Sequence, residues 1–230
     1  MKVIKTVNVE KIYTSFDVDT VALNKVNLEI EQGEFVSIMG PSGCGKSTLL
    51  NLISLMDLPT RGEVFFMEQS TSKMSDRKRA EFRRKYIGFV FQNFNLIEEL
   101  SVYENIELPL VYLRMPPSER AQRVRAVMER LDVAHKQRFF PMQLSGGHQQ
   151  RVAVARAIVA SPLVLFADEP TGNLDSKHGQ EVMEILSELN EAGTTVVMVT
   201  HSSANAEFAN RIIQLFDGQI VTGKVNQYSF

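Results

Sequence analysis

A single cysteine, Cys44, stands among 230 residues, so no disulfide can form within the chain, as expected of a protein kept in a reducing compartment. No stretch approaches the ~18 uninterrupted apolar residues that suggest a membrane-spanning helix. Residues 1–5 lack the apolar run of a secretion signal. Charge of one sign is not in excess: 25 Lys and Arg against 27 Asp and Glu leave a net charge of −2. That excludes the broad basic field of a dedicated nucleic-acid binder, so no nucleic acid is expected as a partner. Internal repeats and low-complexity segments are absent. Together these absences point to a soluble, cytosolic chain whose membrane role, if it has one, must come through a partner.

What is present is ordinary in amount and specific in arrangement. Hydrophobic residues make up 44% and charged residues 23%, enough to bury the core of one α/β domain. Short apolar runs occupy residues 35–39, 86–91, 163–167 and 195–199. They are nearly continuous and rich in β-branched residues, which is how strands buried on both faces of a parallel sheet read. Between them lie helical spacings at 45–55, at 118–131 (Ala121, Val124, Val127, Met128 and Leu131 on one stripe), at 149–159 and at 176–189 (Val182, Ile185, Leu186, Leu189). Alternating strands and helices predict a doubly wound α/β fold. Residues 3–30 alternate more and predict an antiparallel sheet to one side. Residues 94–160 read as mainly helical, broken by Pro109, Pro116-Pro117 and Pro141, and so as a helical subdomain inserted into the α/β core. The basic clusters Arg77-Lys78-Arg79 and Arg83-Arg84-Lys85 read as a solvated helix face.

Residues 40–48 carry the first chemistry. Gly40, Pro41, Ser42, Gly43, Cys44, Gly45, Lys46, Ser47 and Thr48 fit G-x-x-x-x-G-K-[ST], between a predicted strand and a predicted helix. Glycines let the backbone curl so that successive N–H groups face phosphate oxygens, and the helix N-terminus adds its dipole. Lys46 is placed to reach the β- and γ-phosphates, and the Ser47 hydroxyl to ligate Mg²⁺. Cys44 reads as a filler position without a catalytic role, although a helix N-terminus lowers a thiol's pKa and so leaves it open to modification from solvent. The second motif, Asp168-Glu169-Pro170, ends a buried strand at the carboxyl edge of the sheet, where α/β proteins bind ligands. Asp168 is expected to hold Mg²⁺, and Glu169 to polarise the water that attacks the γ-phosphate.

Leu144-Ser145-Gly146-Gly147-His148-Gln149-Gln150-Arg151 resembles the signature of the ATP-binding-cassette (ABC) ATPases. Ser145 and the N–H groups of Gly146 and Gly147, at the start of a predicted helix, would make a second anion site. The resemblance runs from Val3 to Gly223 and implies the remaining roles. Gln92 matches the Q-loop glutamine, which contacts Mg²⁺ and water and senses the membrane partner. Residues 172–175, ending in Asp175, match the D-loop at the dimer interface. His201 matches the switch histidine that contacts the γ-phosphate. Tyr13 is placed like the aromatic that stacks on adenine, or else is a core residue. The family resemblance is strongest to ATPases serving lipoprotein release, macrolide-type export and the bacterial cell-division complex.

By that resemblance the fold is α/β: a P-loop NTPase (RecA-like) core with a mostly parallel sheet, an N-terminal antiparallel β subdomain and an inserted helical signature subdomain. Residues 1–230 would form one nucleotide-binding domain, with 1–93 and 161–230 as core and 94–160 as helical subdomain. The chain would bind ATP and Mg²⁺ and pair head-to-tail with a second copy. It would drive a membrane permease from the cytoplasmic face of the membrane, or signal within a cell-division-type complex. Phe94, Leu96, Ile97, Leu100 and Tyr103 form an apolar group for docking that permease or for packing the helical subdomain. With the sequence ending soon after Gly218, no C-terminal regulatory domain is expected. Two positions depart from the family pattern. His148 replaces glutamine, and Ser202 replaces an aspartate, removing a carboxylate beside His201.

Overall fold

Two long alternating strands, β1 (Lys2–Ser15) and β2 (Val18–Glu31), pair antiparallel at the start of the chain. The computed structural model describes residues 1–15 and 18–221. The end of the family resemblance at Gly223, and the end of the 161–230 segment, lie outside the described residues. The chain continues through β3 (Phe35–Met39), α1 (Lys46–Ile53), β4 (Arg61–Phe66), β5 (Gln69–Ser70), α2 (Asp76–Tyr86) and β6 (Ile87–Phe91). Three helices follow: α3 (Val102–Tyr112), α4 (Pro117–Arg130) and α5 (Gly146–Ile158). The last elements are β7 (Val164–Asp168), α6 (Ser176–Glu191), β8 (Thr195–Val199), α7 (Ser203–Ala206), β9 (Arg211–Phe216) and β10 (Gln219–Val221).

The strands form two sheets. The smaller is antiparallel, in the order β2-β1-β4-β5; the larger runs β10-β9-β3-β8-β7-β6. In the larger sheet every pairing except β9–β10 is parallel. Its apolar runs are buried on both faces, which explains why they show no polar alternation. Leu165, Ala167, Val196 and Met198 point into one core, with α3, α4, α5 and α6. Val164, Phe166, Val197 and Val199 point into the other, with α1 and the antiparallel sheet. Fully burying each of the Val, Leu, Phe and Met side chains among them contributes on the order of 1.5–3 kcal/mol.

The α4 stripe buries Val124, Met128 and Leu131, and the α6 stripe buries Val182, Leu186 and Leu189. Other expectations need correction. Pro109 does not break the helical pattern, because α3 runs through it. A proline inside a helix costs about 3 kcal/mol. Here Val102, Ile106 and Leu110, four residues apart, are all fully buried and hold the turn together. A capping box between Ser101 and Glu104 fixes its start, so residues 94–101 are loop rather than helix. The basic face of α2 is only partly solvated. Arg83 donates to the Leu55 carbonyl at 2.6 Å, and Arg79 to that of Met74 at 3.1 Å. No helix among the described residues is long and apolar enough to cross a membrane.

Candidate active site

Strand β3 ends at Met39, and the chain must reverse to start α1 within seven residues. Gly45 makes this possible: it sits at φ +101°, and a Cβ there would lie 2.4 Å from the Ala22 carbonyl oxygen on β2. The loop is clamped from outside. Gly218, between β9 and β10, donates to the Cys44 carbonyl at 3.0 Å and accepts from Asn24 of β2 at 2.8 Å. Within the loop, Lys46 Nζ donates to the carbonyls of Gly40 and Pro41, both at 2.8 Å.

Asp168 ends β7 directly opposite, and the Ser47 hydroxyl donates to its carboxylate at 3.5 Å. Burial raises the Asp168 carboxyl above its ordinary range, and the Glu169 charge adds to that. The Ser47 hydrogen bond and Lys46 pull it back. Glu169 follows at φ +47°, a conformation that side chains adopt rarely and that costs of order 1–3 kcal/mol. It is held there by its own N–H on the Val199 carbonyl (2.9 Å) and its carbonyl on the Gly172 N–H (3.0 Å). The carboxylate is then fixed by His201 Nδ1 at 2.8 Å and by the Thr200 hydroxyl, which donates at 3.3 Å. A cavity of about 310 Å³ is lined by Ser42, Gly43, Gly45, Lys46, Ser47, Thr48, Asp168 and Glu169, together with Ala22 and Val199.

Other expected residues lie outside that cavity. Cys44 is 4% exposed beneath the loop, which overturns the expectation that solvent could modify it. Tyr13 is 44% exposed on β1, with Lys11 Nζ 5.1 Å above its ring, so it is not a core residue. Gln92 lies in the loop after β6, its side chain against Gly172. Asn173 ties the two loops together, donating to the carbonyls of Gln92 (3.1 Å) and the Asn93 side chain (2.8 Å). Asp175 caps α6: it accepts from the His178 N–H at 3.0 Å and lies 2.7 Å from His178 Nδ1. The His178 N–H and ring hold its carboxyl below the usual range.

The signature residues form a separate place. Ser145 is the N-cap of α5 and accepts from the His148 N–H, so Gly146 and Gly147 belong to the helix, which starts three residues earlier than expected. A Cβ at Gly147 would meet the His178 ring at 2.5 Å. Of the apolar group, Leu96 and Tyr103 pack against the helical core while Ile97 is 38% exposed. Ser202 caps α7 through its hydroxyl and donates its N–H to the Thr200 hydroxyl at 3.1 Å, so the loop bearing His201 is anchored without the aspartate.

Sequence reasoning missed Arg156. Its guanidinium donates to the carbonyls of Asn95 (2.6 Å) and Phe94 (2.9 Å), holding two consecutive residues at positive φ. One signal was available: an arginine inside the apolar run of residues 152–159 needs buried acceptors. Thr200 and Ala22 were also missed, since nothing in a lone threonine or alanine marks it.

The ABC transporter family model matches residues 23–172, a span that contains the phosphate loop, the signature and Asp168-Glu169. The chain belongs to the ABC transporter family. As a member it is the ATP-binding, ATP-hydrolysing subunit of such a transporter. An uncharacterized ABC transporter ATP-binding protein of Methanocaldococcus jannaschii is 52% identical over 218 residues, covering 95% of this chain and 97% of that one. The macrolide export ATP-binding/permease protein MacB of Vibrio parahaemolyticus is 43% identical over 97% of this chain, which spans 34% of MacB. An ATP-binding cassette solved as a dimer in a post-hydrolysis state, bound to ADP and Pi, superposes with a TM-score of 0.89 at 45% identity. That match covers 98% of this chain and 100% of that chain.

Proposed function

We propose that the ABC cassette hydrolyses ATP between two copies of itself and passes the closing movement to a membrane permease of the export type. The observation that carries this is the convergence of Lys46, Ser47, Asp168 and Glu169 on one cavity, with the signature residues elsewhere on the surface. The signature residues line no part of the cavity that the phosphate loop forms, and a head-to-tail pair would bring them to the nucleotide of a second copy. The solved relative is a dimer, and MacB joins a like cassette to a permease in one chain.

Lys46 would exchange its bonds to the Gly40 and Pro41 carbonyls for β- and γ-phosphate oxygens. Among the described residues no cluster of three or more His, Cys, Asp or Glu could hold a metal by itself. The Ser47 hydroxyl and the Asp168 carboxylate are hard oxygen donors of the kind that bind Mg²⁺ together with substrate phosphates, so the residues fit that ion. Mg²⁺ held there would neutralise charge on the phosphates. Glu169 orients the attacking water, and His201 holds Glu169 and faces the γ-phosphate. Gln92, with Asn173 and Arg156 around it, places the loop that meets the permease, and Ile97 offers it an apolar contact. Tyr13 would stack on adenine. The apparatus would work on the cytoplasmic face of the membrane.

The test is steady-state hydrolysis by the wild type beside Glu169→Gln. Loss of a positioned general base typically costs 10²- to 10⁴-fold. Turnover within tenfold of wild type in the variant would remove Glu169 from its role.

A further inference from the structure

His148 is where this chain leaves the family pattern, and its ring lies against the residue on which the second anion site depends. His148 Nδ1 is 2.7 Å from Ser145 Oγ, and the His148 N–H donates to the same oxygen at 3.4 Å. A hydroxyl has one proton and two lone pairs. The backbone N–H takes one lone pair. If Nδ1 is bare, the hydroxyl must donate to it and has no proton left for a phosphate. If Nδ1 carries a proton, as in the cation and in one of the two neutral tautomers, it donates into the second lone pair, and the hydroxyl proton is released to point away from the helix; of these two forms, an anion brought against Ser145 favours the cation.

We propose that His148 is a positioning residue, whose protonation turns the Ser145 hydroxyl from a donor to its own imidazole into a donor to the γ-phosphate of ATP held by a second copy. The proposal rests on the reading of Ser145, Gly146 and Gly147 as the site that closes on that ATP.

The surroundings set the direction. Partial burial holds the His148 imidazole below its ordinary range. The Lys136 and Arg151 cations and the neighbouring His135 ring push the same way, and Asp132 opposes them. The His135 ring meets it edge-on at 6.0 Å, and Arg151 is engaged by Glu181 of α6 at 3.0 Å. On the far side of Gly147 stands His178, bonded to Asp175. In the isolated cassette at neutral pH the ring is therefore mostly neutral. A phosphate brought against Ser145 favours the charged ring and raises its pKa in the closed dimer. A group whose pKa is higher in the closed state stabilises that state at low pH and loses the effect as pH rises through the closed-state value. Closure therefore takes up protons, up to one for each of the two signature sites, and ATP-driven dimerisation tightens as the solution is acidified.

The experiment measures the dimer dissociation constant of the Glu169→Gln protein with MgATP by sedimentation from pH 8 to pH 6, with and without His148→Gln. Titration of ATP and of groups remote from the signature is common to both proteins, so the ratio of their constants reads His148 and its coupling to His135. The expected result is that this ratio changes by about threefold or more across the range, in favour of His148 at pH 6. Parallel curves would overturn the proposal. Glutamine is the family's usual residue here and is neutral throughout, so loss of folding does not confuse the comparison. Ser145→Ala in the same background separates the two claims. A weakened dimer whose constant no longer responds to His148→Gln supports the proposal. A dimer weakened by Ser145→Ala, together with parallel His148 curves when Ser145 is present, overturns only the role of His148. An undiminished dimer overturns the reading of Ser145 itself.

Discussion

The two anion sites of this cassette are built in opposite ways. The phosphate loop lies at the carboxyl edge of the parallel sheet, enclosed by β2, β7 and the β9–β10 turn, with its lysine, hydroxyl and carboxylates already within reach of one another. The signature is a helix N-terminus whose capping serine is exposed and which forms no part of the lining of that cavity. The first can hold a nucleotide alone. The second has donors for a phosphate but nothing to hold the remainder of the ligand. Under the proposed function, that asymmetry is the physical reason for a second copy: each chain would hold a nucleotide site and offer a capping surface to another chain's nucleotide.

Mutations can separate the two halves. The largest effect is expected on the enclosed side. Lys46→Ala removes the cation aimed at the developing phosphate charge, and losing one such preorganised group costs about 10²- to 10³-fold in turnover. Steady-state phosphate release measures it, and a loss under tenfold would show that the loop amides suffice. An intermediate effect is expected on the capping side. Gly147→Ala drives a Cβ into the His178 ring. Overpacking of this kind costs about 1–3 kcal/mol. Thermal unfolding should show the loss, ATP binding by the separate chain should survive, and adding His178→Ala should restore stability. Failure of that rescue would place the strain elsewhere. The smallest effect is expected from restoring the family aspartate. Serine and aspartate are near-equal as N-caps, and Ser202 already caps α7. Ser202→Asp should therefore leave turnover within about twofold of wild type, since the cap is kept. A tenfold gain would mean that His201 is poorly placed without the carboxylate.

The same contrast explains which parts could be read from the sequence. The central strands were legible because burial on both faces leaves a nearly unbroken apolar run, as in residues 35–39 and 195–199. The phosphate loop was legible because its chemistry needs particular residue types at fixed spacing. The signature was legible as a resemblance, while the reason Gly147 must be glycine lay in His178, thirty-one residues further on. Pro109 misled because local propensity cannot weigh the burial of Val102, Ile106 and Leu110. The thiol of Cys44 misled because its position beneath the loop depends on Gly218 and β2, far away in sequence. Arg156 was missed because its partners are backbone carbonyls, which leave no mark in the sequence.

The central claim is that one chain's enclosed site is completed by another chain's exposed cap, and the most direct measurement is the mass of the Glu169→Gln protein in solution with and without MgATP. The account predicts a single chain of 26.0 kDa without nucleotide and a doubling of mass with it, reversed by the Ser145→Ala and Gly147→Ala changes. Saturating ATP binding with the mass unchanged would contradict it.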